Sequence, residues 1–457
     1  MFLTNNMKLY LDRLLLIIIL IFPFSLLSGP FLTDLFLSFF SFFFLIILIY
    51  YRKWKYVNNI YFKITIIWCF YILLNSLFSE NRLLSLESSL FYFRFIIFSF
   101  GFYYILKENK KTILYFTVSL LIAFSFILVD SLIQYFTSIN LFGLHYSGHR
   151  VSSVFGDEKI LGSFISRLMP LLFGLLIFNF FKKKFTLIII ISIFILSDMI
   201  VFLSGERTAF FYIFLQTFLM LLLVEKYKLT RIISVILSII FIIYISFLNN
   251  DIKYRMFDHT LNQMNIENYF KKFKNDKLII NEFNNNNSCY RGVCNYDNQI
   301  KLFSIQHQVL YVTAFNIFKD NIFFGVGPKM YREVCKKDKY YIVPKEDVSS
   351  SSCRTSPHNT YLQLLAETGL IGTLPLMFLF FLISFVFLKR FIIMYFFKNK
   401  KYLNDSTILI YITLYISLWP VIPTGNFFNN YMSAIYYLPI GLIFYLNNID
   451  KKNKEVC

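Results

Sequence analysis

Leu35-Phe36-Leu37-Ser38-Phe39-Phe40-Ser41-Phe42-Phe43-Phe44-Leu45-Ile46-Ile47-Leu48-Ile49-Tyr50-Tyr51 runs for seventeen residues without a charge. A helix of about 20 mostly apolar residues crosses the hydrocarbon core of a bilayer, so this stretch reads as a spanning helix. Eleven more segments read the same way: 14–33, 60–78, 90–106, 112–132, 161–181, 185–203, 209–224, 232–248, 369–388, 406–422 and 431–447. The least marked breaks are at Asp34 and at Lys182-Lys183-Lys184. Lys8 and Arg13 ahead of Leu14–Phe22 imitate a secretory signal, but only Pro23 and Gly29-Pro30 follow, with no small-residue cleavage site. The first segment is therefore read as a helix that stays. The expected fold is an all-α polytopic membrane protein of about 12 transmembrane helices.

Composition agrees. The 457 residues are 57% hydrophobic and 16% charged, where a soluble domain runs near ~25% charged. Disorder, collagen-like repeats and a small disulfide scaffold are excluded. Lys and Arg number 45 against 26 Asp and Glu, a net charge of +19. With the N-terminus inside, the short inner stretches hold 22 Lys and Arg; the short outer ones hold Arg82, Arg150, Lys159 and Arg207. That asymmetry predicts an N-in, C-in topology and removes the main support for a nucleic-acid partner. Inner loops of at most about 14 residues leave no room for a nucleotide-binding domain, and no G-x-x-x-x-G-K-[ST] occurs.

The expected organisation is a membrane domain over 1–248, a long outer loop over 249–356, a helix start and three last spans over 357–447, and an inner tail over 448–457. Residues 281–299 read as irregular, and 301–319 as an amphipathic helix on the membrane surface. All five histidines (145, 149, 259, 307 and 358) fall on the outer side, which marks it as the working face. Cys289, Cys294, Cys335 and Cys353 share the long loop. Disulfides are the expected use, with Cys335–Cys353 stapling the segment before His358 and Cys289–Cys294 closing a tight loop, although four cysteines allow three connectivities. No histidine stands at ligand spacing beside them, so no metal is expected.

Four runs carry the candidate chemistry. In Ser356-Pro357-His358-Asn359-Thr360-Tyr361, Ser then Pro is a helix start, placing His358 and Asn359 in the first turn. There the helix dipole suits an anion and keeps His358 neutral as a base. The bland alternative is a histidine that caps its own helix. In Leu203-Ser204-Gly205-Glu206-Arg207-Thr208-Ala209-Phe210, the Arg207 fork fits a phosphate, with Glu206 as a pairing candidate; the alternative is an arginine that snorkels to headgroups. Arg150 through Phe155-Gly156-Asp157-Glu158-Lys159 packs charge at the mouth of a helix, where a solvated loop would look alike. Asp320-Asn321-Ile322-Phe323-Phe324-Gly325-Val326-Gly327-Pro328 is a helix end and a turn, by itself only punctuation. Arg94 and Arg167 lie within spans, where charge is costly and faces a cavity or partner.

In this order the four runs, ending in Pro357-His358-Asn359-Thr360-Tyr361-Leu362-Gln363-Leu364-Leu365-Ala366-Glu367-Thr368-Gly369-Leu370-Ile371-Gly372, resemble the O-antigen ligase and O-antigen polymerase family of bacterial inner-membrane glycosyltransferases. The likeness covers about residues 145–385 in motifs and the whole chain in topology. It implies about twelve spans, a long periplasmic loop, no cofactor or metal, and a glycan donor on undecaprenyl pyrophosphate at the periplasmic face. The implied acceptor is another lipid-linked glycan or lipid A-core, with membrane lipids around the site and a chain-length regulator as a further partner. Carried over, the catalytic residues are His358, Arg207 and Arg150. Arg354 or Arg332 is the long-loop arginine, and Asn359, Asp157, Glu158 and Lys159 are substrate-binding candidates. Members often carry Ser-Arg-Gly where this chain has Glu206-Arg207-Thr208, which leaves the role of Glu206 open.

The two readings agree on mechanism. Pyrophosphate leaves without ATP if arginines hold its charge, and one base takes the acceptor proton. Direct displacement inverts the anomeric centre; a covalent route would use Asp157 or Glu158 as nucleophile. The Phe-Gly-Asp-Glu and Ser-Gly-Glu-Arg runs look more like polymerase than ligase members. Two alternatives compete: a flippase for lipid-linked oligosaccharide, for which no clear inverted repeat is visible, and a scaffold that docks partners on its long loop.

Overall fold

Gly29 and Pro30 end the first helix and start the second. Gly29 adopts φ 98°, open to glycine, and Pro30 is the first helical residue. The break between the first two helices therefore falls at 26–29, and Asp34, expected in the gap, lies inside the second helix. A carboxylate alone does not stop a helix when a Gly-Pro pair stands five residues earlier. The computed structural model describes residues 2–146, 150–180, 184–264, 288–290, 293–295, 303–343, 351–397 and 402–455.

The helices are α1 (Phe2–Ser25), α2 (Pro30–Tyr50), α3 (Ile60–Leu77), α4 (Arg82–Ser89), α5 (Arg94–Glu108), α6 (Thr112–Thr137), α7 (Leu161–Phe180), α8 (Lys184–Leu203), α9 (Arg207–Leu223), α10 (Lys228–Leu248), α11 (Ile305–Asp320), α12 (Thr360–Tyr395), α13 (Asp405–Ser417) and α14 (Asn430–Glu455). Each of the twelve expected segments overlaps one of them, and 14–33 runs across the break from α1 into α2. Among the described residues nine helical stretches are long and apolar enough to cross a membrane, counting α4 and α5 together as one over Arg82–Glu108; α9 and α13 are apolar but shorter. The chain is a multi-pass membrane protein. A short hairpin, Ser288–Tyr290 with Val293–Asn295, sets Cys289 opposite Cys294 in backbone register. Their side chains, and the rest of the Asn-rich stretch, lie outside the described residues, as does most of the expected Lys182–Lys184 turn.

Two of the basic residues counted above as inner-loop charge are buried inside helices. Arg231 lies inside α10 and Arg390 inside α12, both about 1% exposed. Arg231 makes a two-pronged ion pair with Asp198 of α8 at 2.9 and 3.1 Å, and also reaches Thr217 of α9. Arg390 pairs with Asp405 at the start of α13. The expected inner tail is also not a separate piece, since α14 continues to Glu455.

The Asp320–Pro328 run has a structural task. Backbone bonds join Val326 N to Ala366 O, Gly327 N to Glu367 O and Leu370 N to Ile322 O, so the run wraps a break in α12. At that break Gly369 has φ 65°, and the facing Gly325 has φ 68°. A Cβ on Gly369 would overlap the Phe323 carbonyl, and one on Gly325 the backbone of Glu367, so only glycine fits at either position. Glu367, fully buried, accepts from the Tyr331 amide at 3.2 Å and from Gln363 Nε2 at 2.9 Å. A disulfide joins Cys335 to Cys353, and both pack in a small core with Leu310, Ile317, Tyr331 and Ala366. The segment leading to His358 is thus tied to α11 and α12.

Candidate active site

His358 does not lie in the first turn of a helix, contrary to the Ser-Pro reading. Its φ is 52°, left-handed, and α12 begins at Thr360. The cap is Asn359, whose Oδ1 accepts from the amides of Tyr361 and Leu362 at 3.0 and 3.1 Å. Asparagine competes well for the cap because its side chain reaches those orphan donors, whereas the Ser356 hydroxyl has no partner. The Asn359 amide nitrogen donates to Pro420 O at 2.7 Å, so this side chain, a binding candidate, is taken up by the fold. The α13–α14 connection holds the turn further: Thr424 N donates to His358 O at 2.9 Å, and the hydroxyls of Thr360 and Thr424 meet at 2.8 Å. A non-glycine residue at positive φ costs about 1–3 kcal/mol and persists where its surroundings over-determine it.

His307, in the first turn of α11, stands with its ring 6.1 Å from that of His358, edge to face. Its Nδ1 bonds the Ser304 hydroxyl at 2.8 Å. Burial, then His358 and then Arg207, push His307 down to about 4. Burial lowers His358 too, opposed by a hydrogen bond from its ring to the Thr424 backbone and helped by the positive charge of Arg354. Both imidazoles are neutral near pH 7. His307 lies in the field of both Arg207 and His358, and so links two runs separated by 150 residues of sequence.

Arg207 is the first residue of α9. Its Nη1 donates to Gln263 Oε1 at 2.6 Å and to Thr260 Oγ1 at 3.3 Å. Those partners sit on a helical run, 250–263, that follows α10 and includes one π-turn at Tyr254–Asp258. The same run carries Arg255, whose Nε donates to Gly205 O at 3.1 Å. Arg255 and the Arg150 side chain both press on Gly205, where any Cβ would meet them. Val151 N bonds Leu203 O at 3.1 Å, which fixes the Arg150 loop on the α8–α9 turn. Arg150, Arg207 and Arg255 therefore converge on one turn, with His259 in the field of Arg207 and Arg255.

The other candidates divide. Arg354 is exposed and acts on His358, whereas Arg332 acts on the buried Glu367, below the helix break. Asp157, Glu158 and Lys159 are exposed. Their loop is anchored from below, by Gln134 Oε1 on the amides of Ser152 and Ser153 and by the buried Asp130 on Ser153 and Leu141. Arg94 is committed to Asp34 at 2.7 Å. Glu206 bonds to the amides of Gly162 and Ser163, not to Arg207. Sequence reasoning missed Arg255 and His307. Neither stands in a motif; the only signal was the concentration of histidines and arginines on one side of the chain. Among the described residues no three His, Cys, Asp or Glu side chains converge as a metal site.

The arrangement sets Arg207 and Arg255, bonded among the described residues to neutral groups, in one cluster with two neutral imidazoles. Such a site holds an anionic leaving group and accepts a proton. No curated protein matches the chain closely enough to count as a relative. Residues 190–377 match the model of a family described as O-antigen ligase. That span contains the Arg207 turn, the 250–263 run, α11, the Asp320–Pro328 wrap and the His358 turn. Over residues 190–377 the chain is thus similar to the O-antigen ligase family, in the same region as the motifs that carry the resemblance.

Proposed function

We propose that this protein moves a glycan from undecaprenyl pyrophosphate to a sugar hydroxyl at the periplasmic face of the bacterial inner membrane, with both chain ends in the cytoplasm. The observation that carries the reading is the grouping of Arg207, His307 and His358 at one end of the bundle. Arg150, Arg207 and Arg255 hold the pyrophosphate by charge-assisted hydrogen bonds, and Arg354 lies close enough to His358 to join them from the loop. His358 removes the acceptor hydroxyl proton as that oxygen attacks the anomeric carbon. The bond from that carbon to pyrophosphate oxygen breaks, and lipid pyrophosphate departs with the electron pair. One displacement inverts the anomeric centre. No general acid is required, because the leaving group is stable as an anion once its charge is held.

Polymerisation, with a second lipid-linked repeat as acceptor, is favoured over ligation to lipid A-core. Surface lipopolysaccharide from a strain lacking the chain tests this. Core capped with a single repeat means a polymerase; bare core with long polymer left on the lipid carrier means a ligase. An unchanged ladder contradicts both.

A further inference from the structure

Glu206 stands beside Arg207 in sequence, yet its carboxylate bonds to the first turn of α7. Gly162 N donates to Oε1 at 2.7 Å and Ser163 N to Oε2 at 3.1 Å. The Ser163 hydroxyl in turn accepts from Arg167 Nη1. Arg167 Nη2 reaches the Tyr212 hydroxyl at 3.4 Å, and its guanidinium covers the Tyr212 ring at 4.9 Å. Tyr212 is on α9, five residues after Arg207. Glu206, Ser163, Arg167 and Tyr212 therefore close a ring between the first two turns of α7 and of α9, with Arg207 on its rim. Gly162 lets the helices meet, since a Cβ there would run into Ser204, Ala209 and Glu206.

The ring is built at a cost. Arg167 is 2% exposed, and its Nε has no hydrogen-bond partner. A buried cation without a hydrogen-bonded carboxylate is expensive, and within a membrane protein such a charge marks function. Its charge acts on Glu206. A carboxylate at a helix N-terminus satisfies orphan amides and meets the positive dipole end, so Glu206 grips α7 best when ionised.

We infer that Glu206 and Arg167 are positioning residues of the transfer site: the carboxylate on the α7 amides, with the Arg167 charge behind it, fixes the start of α9 and so aims Arg207. This rests on the glycan-transfer reading above. The charged and titratable groups that act on Glu206 are Arg167 from α7 and Tyr431 from α14; Tyr212 from α9 and Tyr436 from α14 act on Arg167 behind it, Arg207 is its neighbour in sequence, and Arg150 and Arg255 stand across Gly205. Burial pushes Glu206 up to about 7, while the two amides and Arg167 pull it down. Protonation turns one carboxyl oxygen into a donor facing an amide donor, and the grip on α7 loosens.

The test uses full-length protein in proteoliposomes, a polyprenyl-pyrophosphate oligosaccharide as donor and a glycan acceptor, with kcat and KM followed against pH. For a group titrating at about 7, wild-type activity at pH 8 exceeds that at pH 6 by about tenfold. Glu206→Gln is expected to lower activity and remove that acid limb. Arg167→Gln is expected to move the limb to higher pH, because a charge that favoured the carboxylate is gone; Arg167→Lys keeps it. The double variant follows Glu206→Gln. A purely structural role would lower activity equally at every pH, and wild-type limbs in both single variants would overturn the inference. If detergent melting shows that Arg167→Gln does not fold, Glu206→Gln and Arg167→Lys decide. Full transfer by Arg207→Ala and His358→Ala would instead overturn the transfer reading itself.

Discussion

Arg231 and Arg207 both belong to helices of this bundle, and their partners differ in kind. Arg231 is enclosed, two-pronged on Asp198, with Thr217 taking a further bond and Ser238 supporting the carboxylate at 3.0 Å. Arg390 is similar, bonded to Asp405 and to the Leu403 and Leu223 carbonyls. Arg207, and Arg255 beside it, bond among the described residues to an amide, a hydroxyl and a backbone carbonyl, none of them charged. A carboxylate neutralises the first class, which leaves little field for a ligand; neutral acceptors orient the second while leaving its charge available. An arginine in a membrane protein is thus classified by its partners better than by its depth.

The comparison can be broken, from the largest effect to the smallest. His358→Ala and Arg207→Ala are each expected to lower kcat for glycan transfer in reconstituted membranes by about 10²–10³-fold, the scale of a lost base or a lost anion donor. Near-normal melting should accompany that loss; a large fall in melting temperature would move Arg207 into the Arg231 class. Asp198→Ala leaves Arg231 uncompensated and should cost about 3–5 kcal/mol, read as earlier unfolding in detergent. Replacing both partners by apolar residues should recover much of that stability, and failure to recover would mean that the pair has a task besides packing. Cys335→Ser, which opens a loop of 18 residues, should cost about 3 kcal/mol of loop stability and expose the segment before His358 to protease. Arg255→Ala should raise KM for the donor by about tenfold with a smaller change in kcat, as expected for one lost charge-assisted bond.

A pH prediction sharpens the same contrast. His307 lies near 4 in the folded protein against an ordinary value of 6.5. Its folded form is neutral where the unfolded chain already takes up a proton. The segment around α11 should therefore lose stability as pH falls from about 6.5 toward 4 and be unaffected above that window. Hydrogen exchange of α11 amides measures it, and His307→Gln should abolish the dependence.

Spans were legible because a bilayer demands long apolar runs, and α2 or α8 read as themselves. Boundaries were less so. The Gly29-Pro30 pair stops α1, whereas Asp34, which looks like a break in an apolar run, lies inside α2. The His358 motif was legible as a site, whereas its local geometry was not, since Ser356-Pro357 satisfies the usual rule for a helix start and Asn359 took the cap instead. The Asp320–Pro328 run looked like a turn; its real constraint, backbone against backbone at Gly325 and Gly369, involves residues 44 apart.

The sequence by itself determined that this chain is helical, crosses a membrane many times, and resembles a family of glycan-transferring enzymes, because composition, apolar run length and motif order are properties of the chain read locally. Only the tertiary structure decided which arginines pair with a carboxylate and which, among the described residues, bond to neutral groups. It alone brought Arg255 and His307 to the site, turned Glu206 toward α7, and placed Arg332 with Glu367 rather than with His358. Charge availability depends on what lies within a few ångströms, and in this fold those neighbours come from distant helices.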